Sequence, residues 1–279
     1  MAFNSVFKPS KEQPIGAPYT TSLLANTIPP QAILALGGLV QCFLLHFFPL
    51  KYALIPTLGG GLFTVLDVTV RFFSNHYMQR VIPGRVSVIL PDRATGKPDS
   101  VPASAGLVVL HIGARCNHPL GPLAPGFKEF SSYFQDMNDD LKARADELGL
   151  ISVTSWRGDE TLTVNTTMNI YYFRDMDCVS RFAHDVFHRK AWAWYNKGEY
   201  PHLGVFHEVY DVPAKSWESI YANMQPTLLG DGQIPCNDKE TSETVWVNPL
   251  VDAKTPALRG MLRRMGRKDP PSGKDDKVW

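Results

Sequence analysis

Hydrophobic and polar positions follow three patterns along the chain. Gln31 to Leu50, QAILALGGLVQCFLLHFFPL, runs 20 residues without a formal charge, the length a membrane-crossing helix needs. After Lys51, YALIPTLGGGLFTVL adds 15 uncharged residues ahead of Asp67, with VTV beyond it. This second run is short and carries three glycines, so it is expected to span incompletely or to lie partly in the interface. A cleaved signal peptide fits poorly, because the apolar run starts about 30 residues in and a second follows at once. Two buried helices of a soluble protein are the other alternative. Lys8 and Lys11 precede the pair, Arg71, Arg80 and Arg85 follow it, and Lys51 stands alone between. The positive-inside rule then puts both ends in the cytosol. Residues 31–73 read as a membrane hairpin behind a polar, proline-punctuated segment, 1–30.

The remaining chain alternates strand and helix patterns. Residues 74–105 read as a linker, since PDRATGKPDSVPASA (91–105) is rich in Pro, Ser and Gly. Gly106 to Asn117 alternates like a strand. Pro125 to Leu148 has helical spacing, with Phe127, Phe130, Phe134, Met137 and Leu141 on one side and Gly149 as its stop. Strands follow at Leu150–Trp156 and Leu162–Arg174, then a helix at Asp175–Asn196 and a strand at Gly204–Tyr210. The order βαββαβ predicts an α+β, ferredoxin-like domain over 106–230. Its helices would cover one face of the sheet, and a second copy would close the other into a dimeric α/β barrel. Residues 231–279 form a C-terminal extension with a basic tail. There Leu258, Met261, Leu262 and Met265 stand at helical spacing among Arg and Lys, which fits a membrane-surface helix or a solvated tail.

Strand alternation sorts side chains between the two faces. On the first strand Val108, Leu110, Ile112 and Ala114 suit the helix side, leaving Leu107, Val109, His111, Arg115 and Asn117 opposite. On the third, Val164, Met168, Ile170 and Tyr172 suit the helix side, leaving Asn165, Thr167, Asn169, Tyr171 and Phe173 opposite. On the fourth, the Phe206, Glu208 and Tyr210 row is assigned to the cavity. The cavity side thus collects His111, Arg115, Asn117 and Glu208 as candidate catalytic groups, with Asn169, Tyr171, Phe173 and Tyr210 to bind substrate. Convergent polar groups in an apolar pocket suit a small-molecule site; a polar dimer interface would use the same pattern.

HDVFHRKAWAW (184–194) sets His184 and His188 four apart, stacked on one face if the helix is continuous. The apolar arc of that helix, formed by Phe182, Ala193, Val186, Val179, Ala183, Trp194 and Phe187, lies opposite the histidines and should dock on the sheet. The pair then points away from the cavity. Two ligands make a weak metal signal, so no metal is expected and packing histidines explain the spacing as well.

Net charge is +1 from 28 basic and 27 acidic residues, and no zinc-finger spacing or nucleic-acid motif occurs, so nucleic acid is not an expected partner. Four scattered cysteines suit a reducing compartment better than a disulfide framework.

VLHIGARCNHPLG, IYYFRDMDCVSRFAHDVFHRKAWAWYN and GVFHEVYDVPAKSWESIYANMQPTLLG, in that order, resemble the fungal membrane-anchored monooxygenases of the fumagillin-pathway type. These are related to the antibiotic-biosynthesis monooxygenases. The resemblance implies the dimeric barrel and an O₂-dependent step on an apolar, terpenoid intermediate of secondary metabolism, at the cytosolic face of the endoplasmic reticulum. It implies no metal or flavin, on a substrate that forms a stabilised carbanion. Haem binding elsewhere in the same superfamily makes a haem-dependent oxidase or dehydratase the alternative, with His184, His188 or His207 as axial ligand. A non-catalytic, membrane-anchored dimerising protein is the third reading.

Overall fold

The computed structural model describes residues 2–13, 30–158, 166–237 and 243–268. The chain forms two compact units, one of them containing residues 82–158 and most of the C-terminal half, the other residues 20–81.

In the smaller unit α1 (Pro30–Phe47), a one-turn helix α2 (Leu50–Ala53) and α3 (Ile55–Phe73) follow one another. The two long helices expose large side chains along their lengths, among them Leu34, Leu39, Phe43, Leu62, Phe63 and Phe72. Gln41 of α1 donates to the Ala53 carbonyl (3.2 Å) and accepts from Thr57 of α3 (2.5 Å), which ties the helices together near their turn. Among the described residues, Leu50–Phe73 is the helical stretch long and apolar enough to cross a membrane, at 24 residues and mean hydropathy 1.6, whereas Gln31–Phe47 is shorter. The helix runs on through Asp67, whose carboxylate pairs with Arg71 one turn later at 2.8 Å.

The larger unit is built on β2 (Leu107–Cys116), α4 (Phe127–Ala143), α5 (Ala145–Leu148), β3 (Leu150–Arg157), β4 (Thr166–Phe173), α6 (Met176–Ala183), α7 (Val186–Tyr195) and β5 (Leu203–Val212). The sheet order is β3-β4-β2-β5 and every pairing is antiparallel. This is the ferredoxin-like βαββαβ arrangement. Gly149 ends the first helical region in the left-handed conformation (φ +68°), and its missing Cβ leaves room for the Cys178 sulfur, which would otherwise sit 2.2 Å away. The core between helices and sheet joins Val108, Leu110, Met137, Leu141, Tyr171, Phe173, Val179 and Phe182.

The region expected to be a linker is structured. Within 74–105, β1 (Ile82–Val88) is the centre of a second sheet, flanked by β6 (Tyr221–Met224) and β9 (Leu250–Asp252). The Pro/Ser-rich part folds back as well, with Ala103 buried beside Trp217 and Arg93 bonded to Asp146 and the Pro235 carbonyl. A short β7–β8 hairpin (Ile234–Asn237, Thr244–Val247) completes the extension. Leu258, expected on the apolar side of a basic helix, is fully buried with Phe3, Ile89 and Val251. Pro256–Leu258 is a single 3-10 turn and Met261–Arg264 one turn of α-helix (α8), so no long amphipathic helix forms among the described residues.

The helix expected over 175–196 is two helices. His184 leaves α6 and Asp185 caps α7, accepting from Phe187 N (3.2 Å). Arg144 bonds Asp185 at 2.6 Å as well as Asp140, and the carboxylate so held stops the helix from running through. His184 and His188 therefore do not share a continuous helical face, and Val186, assigned to the docking arc, is exposed.

Inside the core, Tyr171 Oη donates to Asn138 Oδ1 (2.6 Å) and accepts from Asn169 Nδ2 (3.0 Å). Asn138 Nδ2 donates in turn to the Phe134 carbonyl (2.6 Å). Removing the hydroxyl strands buried amide groups, so Tyr171→Phe should destabilise the full chain by about 1–3 kcal/mol, read as a lowered melting temperature in detergent.

Candidate active site

Cross-strand register decides what the face away from the helices presents, because directly opposed residues on antiparallel strands share a face. Three rows cross it. Ser152, Tyr172, Val109 and Tyr210 form the first; Thr154, Ile170, His111 and Glu208 the second; Trp156, Met168, Gly113 and Phe206 the third. Thr166, Arg115 and Gly204 follow on three strands. The middle of the first row is sealed. Leu107, Val109, Tyr172 and Val212 pack against Val86, Val88, Trp217, Leu229 and Leu250 of the second sheet and its connections. Burial there, with Tyr221 nearby, pushes the Tyr172 phenol up to about 12, so it stays protonated. The second and third rows remain open.

His111, Glu208 and Tyr210 converge on this open face. Tyr210 Oη donates to Glu208 Oε2 at 2.8 Å, and His111 Nδ1 lies 3.9 Å from the same oxygen. The Tyr210 ring stands edge-on to the imidazole with centroids 5.5 Å apart. The hydrogen bond to Glu208 and the charge of its carboxylate hold the Tyr210 phenol above its ordinary value. Arg115 Nε donates to Asn117 Oδ1 (2.9 Å) and its Nη1 to Thr166 Oγ1 (2.8 Å), which fixes the plane of the guanidinium. An imidazole beside a carboxylate can take and hold a proton, and an oriented guanidinium can hold a developing oxyanion. Five expected site residues, His111, Arg115, Asn117, Glu208 and Tyr210, thus belong to this end of the molecule.

Asn169, Tyr171 and Phe173 do not. They lie on the helix-covered face, opposite Ile112, Leu110 and Val108, and Tyr171 and Phe173 are completely buried. The expectation put the Met168, Ile170 and Tyr172 row in the core because it is the more apolar one. The register reverses this: the polar atoms of the Asn169 row are satisfied by Asn138 of α4, while Tyr172 is covered by the second sheet. Asn138 is the residue that sequence reasoning missed, and its spacing from Phe134 and Leu141, which puts it on the apolar side of the helix, was the available signal. Asn165 and Val164 lie outside the described residues.

Two of the three histidines held in reserve for haem, His184 and His188, make contacts with neighbouring groups. His184 Nδ1 faces the Ser180 carbonyl of its own helix (2.8 Å). The hollow beside it is lined by Asp185, Arg189 and Lys190 as well as Val186 and Ala193. His188 is half-buried against the Phe182 ring (5.5 Å). Among the described residues no group of three or more His, Cys, Asp or Glu is placed to hold a metal ion.

Residues 107–229 match the family model described as monooxygenase af470-like. Monooxygenase af470 of Aspergillus fumigatus is 37% identical over 257 residues, covering 90% of this chain and 93% of the relative. The chain belongs to the af470-like monooxygenase family. It is therefore an oxidoreductase of the monooxygenase type. Several solved structures align with part of the chain. An aldoxime dehydratase, OxdRE in complex with butyraldoxime, aligns at TM-score 0.40 and 18% identity over 53% of this chain and 41% of its own. SnoaB, a cofactor-independent oxygenase from Streptomyces nogalater, aligns at TM-score 0.27 and 16% identity over 38% of this chain and 91% of its own. A putative antibiotic biosynthesis monooxygenase from Caulobacter crescentus aligns at TM-score 0.29 and 16% identity over 39% of this chain and 92% of its own.

Burial holds the His188 imidazole below its ordinary value, with His207 and His184 adding repulsion, despite a hydrogen bond to the Ala183 backbone. The folded state thus keeps His188 neutral where the unfolded chain, titrating near pH 6.5, is charged. Its contribution to stability is full above about pH 6.5 and is lost as pH falls through the lower folded value. His188→Gln is expected to flatten the decline in melting temperature between about pH 7 and 5. Parallel declines in both proteins would refute this.

Proposed function

We propose that this af470-like monooxygenase uses the open face of its sheet to oxygenate an apolar, terpenoid small molecule with O₂, anchored to a membrane by residues 31–73. The observation that carries the reading is the His111–Glu208–Tyr210 group, beside the oriented Arg115, on the face that the helices leave uncovered. A substrate C–H next to an electron-withdrawing oxygen is acidic enough for His111, backed by Glu208, to remove its proton. Arg115, positioned by Asn117 and Thr166, holds the oxyanion that forms. The carbanion reduces O₂, so a CH₂ group and O₂ become C=O and water, with all four electrons from the substrate, both C–H protons leaving to water, and no cofactor. Tyr210 orients the substrate. An isolated alkene lacks such a proton, so the substrate carries an activating carbonyl, enol or phenol.

Supporting the membrane reading are the exposed apolar surfaces of α1 and α3 and the length of Leu50–Phe73. The Lys and Arg residues that flank the two apolar runs support a hairpin with both ends in the cytosol, and the family resemblance supports the endoplasmic reticulum and secondary metabolism as its setting. The edge strand β5 is exposed on both faces from Val205 to Asp211, which favours a homodimer whose second sheet closes the site.

Metabolite profiling of a deletion strain should reveal the accumulating intermediate. With that compound, detergent-purified protein is expected to consume O₂, and His111→Ala and Glu208→Gln each to lose about 10²–10⁴-fold in turnover. Full turnover by either variant removes that residue from the scheme. The active protein is expected to lack a Soret band; a band abolished by replacing His184, His188 or His207 would establish the haem alternative instead.

A further inference from the structure

The third row of the open face has a feature that neither the catalytic groups nor the core explains. Gly113 of β2 lies opposite both Met168 of β4 and Phe206 of β5, and Trp156 of β3 lies opposite Met168. A Cβ at Gly113 would stand 2.1 Å from Cζ of Phe206 and 2.3 Å from its Cε1. The phenyl ring therefore rests on the glycine backbone, in the space any other residue's side chain would fill. Gly113 has an ordinary negative φ, since it is absent from the positive-φ glycines, so close approach rather than backbone freedom requires glycine here. At the far end of the row, Trp156 Nε1 donates to Thr154 Oγ1 (3.1 Å), which orients the indole from the row of His111 and Glu208. Phe206 remains 40% and Trp156 43% exposed, so both rings keep a free face. The row crosses four strands, about 14 Å at ordinary strand spacing, and lies about 7 Å along the strands from His111.

Two oriented aromatic rings flanking a thioether make an apolar, polarisable trough beside a proton-transfer group. Rings and sulfur attract unsaturated or cyclic hydrocarbon through dispersion and edge-to-face contact, and no charged side chain stands in the row. We propose that Trp156, Met168 and Phe206 seat the cyclic hydrocarbon skeleton of the substrate, and that Phe206, laid flat by Gly113, sets the size of skeleton accepted. The inference rests on the open face being the site of oxygenation, and it adds the groups that choose the substrate. Phe206 and Gly113 are specificity-determining; His111 and Glu208 carry the chemistry one row away.

The test uses the full-length protein in detergent and a bicyclic hydrocarbon bearing a diazirine. After photolysis, peptide mapping reads labelling on β3, β4 and β5, normalised to labelling of α1 and α3. The expected result is labelling at Trp156, Met168 and Phe206 that excess naphthalene suppresses. Phe206→Ala, which widens the trough, should raise protection by pyrene relative to naphthalene about tenfold. Gly113→Ala, which lifts the ring, should weaken naphthalene protection about tenfold, and Phe206→Leu should restore intermediate selectivity in a protein whose fold is undisturbed. Labelling confined to the helices overturns the proposal. So does an unchanged pyrene-to-naphthalene ranking in Phe206→Ala, or a loss of subunit association with unchanged labelling, which would assign the row to a contact between copies. Labelling needs no turnover, so oxygen uptake that survives His111→Ala would refute the catalytic reading separately.

Discussion

Strand β2 sits at the centre of the main sheet, hydrogen-bonded to β4 along one edge and to β5 along the other. Because side chains alternate with a period of two, this double pairing assigns every residue of three strands to a face at once. A slip by one residue would carry Val108, Leu110 and Tyr171 out of the core and His111 and Arg115 into it. Two contacts oppose such a slip. On the covered face the Asn138–Tyr171–Asn169 hydrogen bonds lock β4 to helix α4. On the open face Phe206 fits only where Gly113 leaves room. Register, core and site are one constraint seen from different sides.

That constraint divides labour across the sheet. The helix-covered face is dense and satisfied, with Tyr171, Phe173 and Val108 wholly buried, and it supplies rigidity. The other face is closed at one end by the strands on either side of the domain in sequence, β1 from before it and β6 and β9 from after it. The molecule's own extension thus narrows the open surface to the rows that carry His111, Glu208, Trp156 and Phe206. Preorganisation follows from fixed strands rather than mobile loops. The imidazole and carboxylate stand opposite each other across a hydrogen-bonded pair, and the guanidinium is held by neighbours on the same and adjacent strands.

Much of the fold was legible from local pattern. The order of strands and helices, the Gly149 stop, the apolar side of α4 and the alternation of β2 each depend on residues close in sequence, and the structure agrees with them. The placement of His111, Arg115 and Glu208 on the uncovered face was legible for the same reason. The faces of β4 were not, because both of its rows hold apolar residues and both contain tyrosine. Ranking them by hydrophobicity chose wrongly: burial of Asn169 and Tyr171 is made affordable only by Asn138, 31 residues away from Asn169. The break at Asp185 was hidden likewise, since its cause is Arg144, 41 residues upstream.

The sequence by itself determined the periodicities, the stops, the two apolar helices and the family to which the chain belongs, since these are properties of neighbouring residues and their order. Tertiary structure alone decided which face of β4 is core, that residues read as a linker form the middle of a second sheet, and that Phe206 lies upon Gly113. Each of these is a contact between distant segments. Their energies depend on which groups meet, and no local pattern records the meeting.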